Sequence, residues 1–239
     1  MSTTRTETST APDGGTSTVT IVAPDEGSGH GIVLWQEIFG VNDFLLAKAG
    51  DLARLGYTVL CPDVFWRVRP GMALSHDPEA LQEAFGVVGA WSEQVPDEDK
   101  VADLGVALDH LRSLPEVTGK VATMGYCLGG TLAYRAACLV GADACVSYYG
   151  SGVAELVAAG QVPPCPTILH FGGNDSFIPQ DQVDAVQAGL AARPDIEVHV
   201  QVGAGHAFEN FLAPQFSDPD AAAVSWPLTT DFLLRTLGG

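Results

Sequence analysis

Positive charge is scarce in this 239-residue sequence: eleven Lys and Arg stand against twenty-nine Asp and Glu, a formal net charge of −18. A field of that sign repels phosphate backbones and anionic headgroups, which makes nucleic acid and charged membrane surfaces poor partners. The acidic residues are spread along the chain, as in a solubilising surface, and form no run of like charge. Cysteine is also scarce. Cys61, Cys127, Cys138, Cys145 and Cys165 are odd in number and contain no CxxC pair, which speaks against a disulfide framework and against a cysteine-rich zinc site. No apolar run approaches the length of a membrane span, and the opening MSTTRTETSTAPDGG has no apolar signal-peptide core. The expectation is a reduced, cytoplasmic protein acting on a small molecule. It is expected to be a monomer or small homo-oligomer, without nucleic-acid or membrane partners, metal or cofactor.

What is present belongs to a folded chain. Hydrophobic residues make up 46%, with four Trp, five Tyr and ten Phe, which excludes a disordered or coiled-coil chain. The length suits one α/β domain over residues 1–239, and no repeat or linker marks a second. β-prone runs at Thr4 to Thr10 and Thr16 to Ala23 flank Pro12-Asp13-Gly14-Gly15, which predicts an opening hairpin. The apolar run Gly31 to Trp35 reads as a strand buried on both faces. Strands are further predicted at Tyr57 to Pro62, Val121 to Tyr126, Ala144 to Gly150, Pro166 to Gly172 and Glu197 to Val202. Helices are predicted at Phe44 to Leu55, Pro78 to Val88, Asp99 to Leu114, Gly129 to Val140, Gln180 to Ala191 and Ala221 to Leu237. This alternation implies a mostly parallel sheet with helices on both faces and a ligand site at the carboxyl ends of the strands. Asp63 to Asp99 is the least regular stretch, a candidate insertion covering a pocket.

The strongest local signal is Gly125-Tyr126-Cys127-Leu128-Gly129-Gly130, between a predicted strand and a predicted helix. It has the G-x-C-x-G form of a nucleophile elbow, with sulfur in place of hydroxyl. Small neighbours permit the strained turn, and the helix amino terminus favours an anion. Asp175 follows the strand ending at Gly172, and His206 follows the strand ending at Val202. The chain order nucleophile, acid, base is that of α/β-hydrolases. Donors for an oxyanion are expected from the backbone N–H groups of Leu128, just after the nucleophile, and Ile38, in the loop after the first buried strand. Glu37 enters the same region directly from an apolar run.

Together, WQEIFGVNDF (Trp35 to Phe44), GYTVLCPDVF (Gly56 to Phe65), GYCLGG, YYGSG (Tyr148 to Gly152) and GAGHAF (Gly203 to Phe208) resemble blocks of the dienelactone hydrolase family, in family order. The resemblance implies an α/β-hydrolase fold and a Cys127–Asp175–His206 triad that hydrolyses an ester or lactone through an acyl-cysteine. It also implies that Glu37 helps to ionise the thiol. Family members that bind dienelactones hold the substrate carboxylate with arginines, whereas here the corresponding regions offer Gln82 and Asn210. Amides lack the charge and bidentate geometry of guanidinium, so an altered substrate site is expected. Phe85, Tyr149 and Arg67 complete the candidate substrate contacts. The competing expectation is a cysteine redox sensor or chaperone that uses the elbow thiol without hydrolysis.

Overall fold

In the computed structural model, which describes residues 2–27 and 29–238, a single eight-stranded sheet runs through the molecule in the order β1-β2-β4-β3-β5-β6-β7-β8. The hairpin β1 (Ser2–Thr10) and β2 (Thr16–Pro24) forms one edge, closed by a turn in which Gly15 N–H donates to Asp13 Oδ1 at 2.9 Å. β2 joins β4 (Thr58–Pro62) antiparallel, and every later pairing is parallel. β3 (Gly31–Trp35), β4, β5 (Val121–Tyr126) and β6 (Ala144–Tyr148) are buried along their whole length. That is the environment the unbroken apolar run of β3 requires, and the other three strands interrupt theirs with a single Thr or Ser each. β7 (Thr167–Gly172) and β8 (Ile196–Gln201) complete the sheet, and β8 is the partly exposed edge.

α1 (Asp43–Arg54), α2 (Pro78–Gln94) and α7 (Pro219–Leu237) begin where a side chain supplies the missing acceptor. Asn42 accepts from Leu45 N–H at the start of α1, and Asp77 accepts from Ala80 N–H at the start of α2. α3 (Asp97–Ser113), α4 (Leu128–Leu139), α6 (Gln180–Leu190) and α7 follow the expected pattern. The differences are local. α2 runs six residues past the predicted Val88: Gly86 and Gly89 weaken its propensity, but buried Ala84 and Trp91 hold the longer helix. A short helix absent from the sequence reading, α5 (Val153–Ala158), follows β6, which ends at Tyr148. No helix among the described residues is long and apolar enough to cross a membrane.

The chain lays down β4 on one side of β3 and β5 on the other, so the direction of winding reverses between β3 and β5. A crevice opens at such a reversal, outside the carboxyl ends of the strands. Register places Trp35 beside Gly125, so the segment leaving β3 meets the turn leaving β5. In that turn Cys127 sits at φ 55° and ψ −118°, a backbone that L-residues rarely adopt. Gly125 makes the turn possible, because a Cβ there would lie 2.1 Å from the Gly129 carbonyl oxygen.

Beneath the crevice, Tyr148 stacks on His170 with centroids 4.4 Å apart, and Thr229 Oγ1 lies 2.6 Å from the Tyr148 hydroxyl and 2.9 Å from His170 Nε2. Burial, with a smaller contribution from His199, pushes His170 down to about 3. The imidazole is therefore neutral in the folded state but protonates near its ordinary value when unfolded. Stability should fall as pH drops from about 6.5 toward 3, by up to one proton's worth, ~1.4 kcal/mol per pH unit. Urea unfolding of wild type and His170→Gln across that range checks it, with a shallower slope expected in the variant. At the elbow, Gly125→Ala should cost about 3 kcal/mol or more, because its Cβ meets backbone and not a movable side chain. The same denaturation measurement reads this loss.

Candidate active site

The parallel register carries three residues to one edge: Cys127 from the end of β5, Asp175 from the turn after β7 and His206 from the loop after β8. His206 Nε2 lies 3.2 Å from Cys127 Sγ, and His206 Nδ1 lies 2.7 Å from Asp175 Oδ2. Asp175 is buried, and its other oxygen accepts from the backbone N–H groups of Phe177 and Ile178, at 2.8 and 3.2 Å. The carboxylate is thus fixed before it meets the imidazole. Burial opposes the charged form of His206, but the Cys127 sulfur, the hydrogen bonds to Asp175 and Cys127, and the Asp175 charge outweigh it and raise His206 to about 10. The imidazole retains its proton through the neutral range.

The loop bearing His206 is anchored by an ion pair below it. Lys48 Nζ of α1 lies 2.5 Å from Glu209 Oε2, while Ser225 of α7 donates to the other carboxylate oxygen. Lys48 also stands 4.3 Å from the Trp226 ring. Removing either partner would strand a buried charge, so the pair fixes the loop strongly.

A cavity of about 210 Å³ opens at the thiol. Ile38, Phe39, Leu81, Phe85, Val88, Phe177 and Phe216 make its walls apolar, with Glu37, Ser151 and Asn210 as its polar points. Among the described residues, no lysine or arginine lines it. Ile38 and Leu128 both border it, and Leu128, first in α4, has an N–H without an intrahelical acceptor. On the far side of His206 is a more polar hollow of about 340 Å³, with Ser176, Gln215 and Ser217 in its walls.

The other sequence candidates are distributed unevenly. Glu37 is buried, accepts from Asn210 Nδ2 through Oε2 at 2.6 Å, and has no partner at Oε1. Phe85 lines the cavity, but Gln82, on the same helix, is exposed and does not. Arg67 stays away from the cavity. It forks onto Asp103 with Nε and Nη2, each at 2.9 Å, reaches Asp13 at 2.5 Å, and lies 4.1 Å from the Trp66 ring. Such a fully engaged guanidinium clamps the hairpin turn to α3. Tyr149 is buried under the site, its ring 5.2 Å from that of His206, where it supports the imidazole.

Sequence reasoning missed His76, whose ring packs edge-on to Phe39 at 4.4 Å and lies within hydrogen-bond distance of Asn210. A histidine in an irregular stretch carries no spacing signal. It also missed Leu81 and Val88, whose helical spacing on α2 does not show that they face a cavity, and Ser151 and Phe216, which lie in turns. Among the described residues, no group of three or more His, Cys, Asp or Glu is arranged to hold a metal ion.

Residues 18–237 match the model of the dienelactone hydrolase family. A carboxymethylenebutenolidase of Pseudomonas putida is 34% identical over 92% of this chain and 92% of its own, and one from Pseudomonas sp. strain P51 is 35% identical over 89% and 87%. Among solved structures, a dienelactone hydrolase-like promiscuous phosphotriesterase from metagenomic libraries superposes with a TM-score of 0.80 at 24% identity, covering 98% of this chain and 99% of that one. At that identity the superposition speaks for the fold alone, which is the α/β-hydrolase fold. Matched along nearly its whole length, the chain belongs to the dienelactone hydrolase family and is a hydrolase acting on an ester or lactone.

Proposed function

We propose that the chain hydrolyses neutral esters or lactones with a small apolar acyl group, through an acyl-cysteine intermediate. The observation that carries this reading is the pair of contacts from His206, 3.2 Å to Cys127 Sγ and 2.7 Å to Asp175 Oδ2. Once the Cys127 sulfur is ionised, His206, which already holds its proton, pairs with it, and Asp175 stabilises the imidazolium. Cys127 Sγ attacks the carbonyl carbon, and the oxyanion forms against the N–H groups of Ile38 and Leu128. As the carbon–oxygen bond to the leaving group breaks, His206 Nε2 gives its proton to the departing oxygen, on the side of the polar hollow. A water then gives a proton back to His206 and its oxygen attacks the thioester carbon. Collapse releases the acid and regenerates the sulfur anion. Glu37, beside the thiol, favours its ionisation by accepting the thiol proton when substrate enters.

Substrate charge follows from the cavity walls. A carboxylate entering this space would leave water for apolar side chains and meet Glu37, without an arginine or lysine to pair with. Desolvating an unpaired charge costs several kcal/mol, so a neutral acyl group is favoured.

Steady-state hydrolysis of p-nitrophenyl acetate and cis-dienelactone by wild type and Cys127→Ala tests both parts. Wild type should prefer the neutral ester in kcat/KM by about tenfold or more. Cys127→Ala should lose about 10⁴-fold in kcat with its unfolding unchanged. Activity retained in Cys127→Ala removes the thiol from the mechanism, and a preference for the dienelactone overturns the neutral-substrate reading.

A further inference from the structure

Glu37 stands at the end of a small closed network of amide groups. Asn210 is 1% exposed and has two amide protons to place: its Nδ2 is 2.6 Å from Glu37 Oε2 and 2.9 Å from His76 Nε2. Asn42 Nδ2 likewise faces two acceptors, the Leu74 carbonyl at 3.1 Å and His76 Nε2 at 3.4 Å. The orientation of each amide is fixed independently. Asn210 Oδ1 accepts from Leu212 N–H at 3.1 Å, and Asn42 Oδ1 accepts from Leu45 N–H at 3.2 Å. With both oxygens committed to donors, both nitrogens turn N–H groups toward the imidazole. His76 Nε2 therefore accepts, and the ring carries its proton on Nδ1.

The segment that delivers His76 is itself pinned. Val41 N–H donates to the Met72 carbonyl at 3.0 Å and Leu74 N–H to the Phe39 carbonyl at 2.8 Å, laying residues 72–74 along 39–41. Gly40, at φ +83°, permits this approach, since a Cβ there would lie 1.9 Å from the Met72 oxygen. The insertion thus supplies an acceptor to an amide that belongs to the catalytic edge. An amide carries no charge, so Asn210 holds Glu37 by direction alone. Direction requires that its second proton also be held.

We propose that His76 is a positioning residue for the reaction: by accepting one amide proton of Asn210, it directs the other onto Glu37 Oε2 and leaves Oε1 free of protein partners beside the thiol. The role rests on the reading of Cys127 as nucleophile and Glu37 as the carboxylate acting on it. Without the acceptor, a buried amide proton is orphaned, Asn210 turns to satisfy it, and Glu37 loses its fixed orientation.

The test compares His76→Phe, which keeps a ring against Phe39 but removes the acceptor, with His76→Gln, which restores an acceptor oxygen. Each is made in the wild-type and Glu37→Gln backgrounds. Two readouts are taken: kcat and KM for p-nitrophenyl acetate, and the rate of Cys127 alkylation by iodoacetamide. His76→Phe should lower kcat about tenfold or more, change KM less than about twofold, and slow alkylation in parallel. His76→Gln should recover most of the loss. In the Glu37→Gln background the same change should cost less than about twofold, because the group it acts through is already altered. Equal losses in both backgrounds, or an unchanged kcat, would make His76 a packing residue and overturn the proposal. If His76→Phe does not fold, the near-isosteric pair His76→Gln and His76→Met makes the same comparison. Wild type that fails to hydrolyse the ester, but whose alkylation depends on His76 through Glu37, would overturn the proposed function and support the positioning role. Hydrolysis with alkylation indifferent to His76 would overturn the positioning role alone.

Discussion

The parallel pairing of β3 with β5 is the constraint from which the site is built. It sets Trp35 beside Gly125, so the segment carrying Glu37 and Ile38 leaves the sheet next to the turn carrying Cys127. Neither strand has a free face: both are buried throughout, and a one-residue slip would push buried side chains into packed neighbours. The relative position of Cys127, Glu37, Ile38 and Leu128 is therefore a property of the core. Asp175 and His206 arrive by the same logic from β7 and β8, farther along the parallel half of the sheet.

Backbone strain is gathered at this edge. Among the described residues, the non-glycine positions with positive φ are Cys127, Tyr149 and Ala207, at 55°, 39° and 56°. One ends β5, one follows β6, and one follows His206. Such conformations each cost on the order of 1–3 kcal/mol and persist where the surroundings over-determine them. Here the surroundings are a stack of buried rings, Tyr126, Tyr148, Tyr149 and His170, together with the Lys48–Glu209 pair that ties the His206 loop to two helices. Tyr149, buried with its ring 5.2 Å from that of His206, packs behind the imidazole and does not line the cavity.

The strands that form the middle of the sheet could be read from the sequence to the residue at Gly31–Trp35 and Val121–Tyr126, because strands buried on both faces are rich in apolar residues. The fold class and the positions of Cys127, Asp175 and His206 were legible from the alternation of strand and helix and from the motifs that follow three of the strands. α5 was not, since six residues carry too little periodicity. The contacts made across the crevice were also illegible. His76 comes from the loop before α2, and Leu81 and Val88 from α2 itself, and their place beside Glu37 and Cys127 is set by tertiary pairing such as that of Gly40 with Ala73. Arg67 illustrates the converse: its sequence position suggested a cation for the pocket, but two nearby carboxylates and a tryptophan claim it first.

The distribution of sulfur has a consequence for how the protein ages. Burial pushes Cys61 and Cys138 up to about 12 and raises Cys145 and Cys165 as well, so these four thiols stay protonated and resist oxidants that act on thiolates. Cys127 alone among the five stands at a helix amino terminus, against an imidazole and open to a cavity. Oxidative wear is thereby concentrated on the sulfur proposed to do the chemistry. An aged molecule would lose its activity while keeping its core, its ion pairs and its outward shape intact.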